Sequence, residues 1–139
     1  MAYPNSPSET LADGAVHCAG LMMSIPACAV LIHHLMQQGA PVTPAALYAG
    51  CLIVAFGASA LYHLSPNDRI RPVLHRIDHA AIYLKIAGTY TPLVGVIGTG
   101  FAYGVLGLIW VLAGVGALAK LWFWRPNARG SLALYLAMG

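Results

Sequence analysis

Four apolar stretches, each about twenty residues long and separated by short turns or loops, leave this chain few ways to fold. As a helix, a run of that length matches a bilayer core roughly 30 Å thick. Inside hydrocarbon, every backbone N–H and C=O must find a partner within the protein, so a spanning segment is a helix or part of a closed barrel. The lengths select helices, expected over residues 14–36, 44–64, 77–97 and 101–123. Residues 1–13 read as a polar cytoplasmic segment. Residues 131–139, SLALYLAMG, begin a fifth span that reaches only about 14 Å at the helical rise. The expected fold is an all-α integral membrane protein, one transmembrane domain over 1–139, with four complete spans and the start of a fifth.

Composition supports this placement. Charged residues make up 8% of the 139 and hydrophobic residues 59%, whereas a water-facing domain carries roughly 25% charged residues. A net charge of +3 is too small and too dispersed for a nucleic-acid footprint, so membrane lipids are the expected surroundings. The N-terminus has no basic residue before the first apolar stretch, unlike a secretory signal, and that stretch is expected to be retained. Cys18, Cys28 and Cys51 lie in apolar stretches without metal-ligand spacing and read as small buried hydrophobes. Pro26 falls inside the first span, where neighbouring helices can absorb it, and Pro44 reads as a helix-starting residue. Gly100 and Gly104 form a small-xxx-small pair suited to close helix approach, most simply within the bundle.

The basic residues orient the chain. Arg69, Arg71 and Arg76 fall between spans two and three, and Arg125 and Arg129 follow span four, with Lys120 close by. The turns after spans one and three carry no Lys or Arg. The positive-inside rule then places the N-terminus and both basic loops in the cytoplasm, with a bacterial inner membrane as the expected location.

Ionisable residues near the spans mark where chemistry could lie. An ionisable side chain in hydrocarbon costs on the order of 3 kcal/mol or more, so it faces protein or a watery cavity. Ser59 and His63 in SALYH share one helix face, and Asp78 in HRIDH starts the antiparallel third span at similar depth. A hydrogen-bonded pair tying two spans together explains them as readily as a site in which imidazole ligates metal and carboxylate takes a proton from water. His17, at the start of span one, can join them or merely sit at the interface; His33 and His34 read as interfacial and His75 as a loop residue. Lys85, seven positions after Asp78, lies on nearly the same face and could approach it or snorkel to the surface.

The strings ETLADGAVHCAG, SALYHLSP and, above all, LHRIDHAAIYLKIAGTYTPL resemble the hemolysin III family, which belongs with the adiponectin and progestin receptor-like membrane proteins. The resemblance implies the front part of a seven-helix bundle with a cytoplasmic N-terminus and a metal, thought to be zinc, near the cytoplasmic side. It implies that His63 is a metal ligand, that Asp78 acts through a metal-bound water, and that Ser59 belongs to the same cluster. The family adds two metal histidines from a His-x-x-x-His in its last helix, and no histidine follows His79 here. The chain is therefore expected to be C-terminally truncated, and a site of His63, Asp78 and His17 alone would be weak and open. A stand-alone four-helix protein is the alternative fold.

Three functions follow as expectations: a zinc-dependent membrane hydrolase acting on lipid amides or esters when complete; a non-enzymatic membrane homeostasis or pore-forming, haemolytic protein; or an inactive truncated product. Under the first, Asp78 and Ser59 would be catalytic. The visible spans lack a polar stripe long enough to line a wide pore.

Overall fold

A computed structural model describes residues 6–122 and 129–138. These form five helices: α1 (Pro7–Gln37), α2 (Thr43–Leu64), α3 (Arg71–Ile97), α4 (Gly100–Trp122) and α5 (Arg129–Met138). The first four are long and apolar enough to cross a membrane, as expected. The basic segment around Arg125 and the first five residues lie outside the described residues.

Helix boundaries follow from local chemistry. Ser6 caps α1: its hydroxyl accepts the Glu9 N–H at 3.4 Å, and its own N–H donates to Glu9 Oε2 at 2.8 Å. This reciprocal box satisfies two orphan donors and starts α1 at Pro7, so the polar stretch before Gly14 is helical. Prolines in the first turn, where a missing N–H costs nothing, open α2 and α3. Because α3 starts at Arg71, His75 is a helical residue and not the loop residue the sequence suggested. The α1–α2 turn uses Gly39 at φ 64° and the end of α3 uses Gly98 at φ 68°, a left-handed conformation that favours glycine. Both Pro26 and Pro92 are accommodated inside continuous helices.

Each helix packs against the next in sequence. The buried centre joins α3, α4 and α5 through Tyr83, Ala87, Ile109, Ala113 and Met138. Small residues bring neighbouring helices together: a Cβ on Gly116 of α4 would sit 2.6 Å from the Tyr83 ring of α3, and one on Gly88 of α3 would sit 2.7 Å from Cys51 Cβ of α2. Gly100 and Gly104 face open space, so that pair makes no close approach within this chain. Of the cysteines, Cys28 is buried and Cys51 partly so, but Cys18 is exposed, contrary to expectation. The polar groups of the core are tied locally. The Trp110 indole N–H donates to the Thr91 hydroxyl at 3.1 Å, which donates in turn to the Ala87 carbonyl at 2.9 Å.

Gly116→Ala should destabilise the protein by about 1–3 kcal/mol, because Tyr83 is fully enclosed and its ring has no room to retreat. Gly104→Ala should leave stability unchanged or slightly raised. Thermal unfolding of both variants in one detergent checks this; equal effects would contradict the assigned α3–α4 contact.

Candidate functional site

The histidines of the first two helices are placed by register. Asp13 and His17 stand one turn apart on α1, and Ser59 and His63 one turn apart on α2. The two helices run antiparallel, so Asp13 meets His63 and His17 meets Ser59. His17 Nδ1–H donates to the Asp13 carbonyl at 2.6 Å. A carbonyl only accepts, so in the neutral ring Nε2 is unprotonated and accepts the Ser59 hydroxyl at 2.9 Å. His63 Nδ1 lies 3.5 Å from Asp13 Oδ2, both side chains about a third exposed. A carboxylate beside Nδ1 favours the proton there, and with it the lone pair on Nε2. The His17 and His63 rings stand 5.5 Å apart.

A ring contact carries the cluster on to α3. Tyr62 packs 4.8 Å from His63 and 4.8 Å, edge-on, from His75. Asp78 is largely buried at 13% exposure, and its Oδ2 lies 3.7 Å from His79 Nδ1. The structure therefore brings three of the four expected residues together, His17, Ser59 and His63. No direct contact joins Asp78 to His63 among the described residues. Lys85 turns to the Phe56 ring, with Nζ 5.6 Å from its centroid. Lys120, expected near the basic cytoplasmic flank, is buried on α4. Arg76 reaches across to the end of α4 and donates to the Leu121 carbonyl at 3.3 Å, occupying one of the carbonyls a helix end leaves open.

Asp13 was not legible as a site residue. Its signal was present, since Asp13-x-x-x-His17 and Ser59-x-x-x-His63 have the same spacing. It was masked by the assignment of residues 1–13 to a segment before the membrane. As a test of fit for a metal ion, the donor set is partial. His63 offers Nε2, but no group of three or more His, Cys, Asp or Glu among the described residues could hold an ion, whereas catalytic zinc normally takes three protein ligands.

Apolar spanning helices with a histidine-bearing polar ladder between the first two define a polytopic integral membrane protein. The sequence matches the family described as Haemolysin-III related over residues 6–139, and the chain belongs to that family. It is 33% identical over 134 residues to Hemolysin-3 of Bacillus cereus, covering 94% of this chain and 61% of that relative. It is 31% identical over 134 residues to the Hemolysin-3 homolog of Bacillus subtilis (strain 168), covering 94% of this chain and 63% of that relative. The chain thus spans less than two thirds of the length of these relatives. No solved structure matches it.

The His17–Ser59 bond should show as a coupling of about 1 kcal/mol in a double-mutant cycle of His17→Ala and Ser59→Ala, read from unfolding in detergent. A coupling near zero would mean that the two side chains do not bond in the membrane protein.

Proposed function

We propose that the chain supplies the front part of a zinc-dependent hydrolase centre acting on lipid amides or esters at the cytoplasmic side of the cell membrane. The observation that carries this reading is the setting of His63: its Nδ1 lies 3.5 Å from Asp13 Oδ2, next to the Ser59–His17 pair. Holding one ring nitrogen with a carboxylate orients the other and raises its basicity toward a metal. Zinc, when bound, would polarise a carbonyl and make water acidic enough to react near neutral pH. Asp78 would accept a proton from the attacking water. The Ser59 hydroxyl would donate to the oxygen on which negative charge develops, leaving His17 Nε2 as the acceptor it gives up. The missing donors would come from the His-x-x-x-His that the family resemblance implies.

Metal content tests this directly. After dialysis, the 139-residue chain should retain far less than one zinc. A version extended with spans bearing a His-x-x-x-His should retain one zinc and hydrolyse a ceramide-like lipid, and His63→Ala should abolish both. Stoichiometric, dialysis-resistant zinc on the short chain, or hydrolysis by it, would sink the scheme. The names of the relatives favour a second reading, membrane permeabilisation. Vesicle leakage that persists in His63→Ala, Asp78→Ala protein would support that reading over the first.

The proposed orientation puts the N-terminus and the α2–α3 loop in the cytoplasm, on the side rich in Arg69, Arg71 and Arg76. With the three native cysteines replaced, Asn67→Cys and Gln38→Cys should label from opposite sides of the membrane. Labelling of both from one side would overturn the topology.

A further inference from the structure

A second histidine pair lies on α3, separate from the α1–α2 ladder. His75 and His79 are four residues apart and share a helix face. Their ring centroids lie 4.0 Å apart, tilted by 34°. His79 Nδ1–H donates to the His75 carbonyl at 2.9 Å. The carbonyl fixes the proton on Nδ1, so the neutral ring carries its lone pair on Nε2. Metal-ligating histidines are commonly oriented in this way, by a backbone carbonyl on the other nitrogen. His75 Nδ1 is buried and has no hydrogen-bond partner. A buried ring nitrogen without a partner is rare in folded proteins and calls for a water or an ion.

The surroundings carry charge of both signs: the Lys120 ammonium on α4 and the Asp78 carboxylate both lie close enough to act on His75. Asp78 places a largely buried carboxylate oxygen 3.7 Å from His79 Nδ1, so negative charge stands beside the pair. Tyr62 packs edge-on against His75 at 4.8 Å and closes one side. One helical turn between them puts both rings on the same side of α3, where their nitrogens can reach a common ion by side-chain rotation. Histidines at positions i and i+4 of a helix are a recurring chelating pair for this reason.

We propose that His75 and His79 form a two-histidine site for an imidazole-preferring divalent transition ion, with water completing the coordination. Copper(II) is the appropriate probe, because it heads the affinity order of the divalent first-row metals for nitrogen donors and tolerates a site with open positions. The site shares the charge of Asp78 with the zinc centre proposed at His63 but takes its ligands from α3 alone, so its test does not need that centre to exist.

The experiment is a titration of the purified 139-residue protein in detergent with Cu²⁺, read by affinity and by electron paramagnetic resonance. One copper per chain with two-nitrogen ligation is expected. His75→Phe, which keeps a flat ring in the stack, and His79→Ala should each weaken binding by roughly tenfold or more. His63→Ala should leave it unchanged, as should replacement of His33 and His34, which lie near the far end of α1. Undiminished copper binding in His75→Phe or His79→Ala would overturn the proposal. So would binding lost on replacing His63 or His33 and His34 while the α3 variants retain it.

Discussion

In hydrocarbon there is no water to take up a polar group left without a partner, and this cost organises the whole molecule. It drives the backbone into uninterrupted helices, because a helix satisfies its own N–H and C=O groups segment by segment. It also explains why polar side chains within the helices tend to pair, His75 Nδ1 being an exception. The Trp110–Thr91–Ala87 relay, the Thr89 hydroxyl returned to the Lys85 carbonyl, and the His17–Ser59 bond all place a donor on an acceptor inside the protein. Lys85, without a carboxylate within ion-pair distance among the described residues, rests its ammonium over the Phe56 ring, whose quadrupole attracts a cation.

The same cost makes helix register matter. An antiparallel pair brings together residues whose positions run in opposite directions, so one turn on α1 matches one turn on α2. Asp13 faces His63 and His17 faces Ser59, and shifting either helix by a single residue would rotate these side chains off the shared face. The apolar packing that sets this register is made of small residues, including Gly20, where a Cβ would meet the Phe56 ring at 2.7 Å. Packing and chemistry are thus coupled between α1 and α2: the contacts that allow close approach also align the polar ladder.

Much of the site was legible from spacing alone. Ser59 and His63 could be placed on one face because four residues make about one helical turn, and His17 could be placed at the same end because the first two spans are antiparallel. Asp13 escaped because hydropathy marks where a helix enters hydrocarbon, not where it begins. The Ser6–Glu9 capping box extends α1 to Pro7, and with it Asp13 acquires a helical position opposite α2. His75 escaped for the same reason, since α3 starts at Arg71, before the apolar run.

The sequence by itself determined the class of fold, the number of spans and the family, because each depends on properties that persist along the chain: hydropathy over helix-length windows, turn residues between them, and long specific strings such as LHRIDHAAIYLKIAGTYTPL. Only the tertiary structure decided which carboxylate holds His63, which glycine carries the close approach, and where Lys120 resides. Depth in the sequence pointed to Asp78 for His63, yet the packing of α1 on α2 brings Asp13 within 3.5 Å of His63, while Asp78 lies 3.7 Å from its own neighbour His79. The sequence singled out Gly100 and Gly104 for close approach, yet Gly104 faces open space and Gly116 faces Tyr83. Rotation about a helix axis is set by packing against neighbours, and an apolar helix with small residues on several faces does not encode it locally.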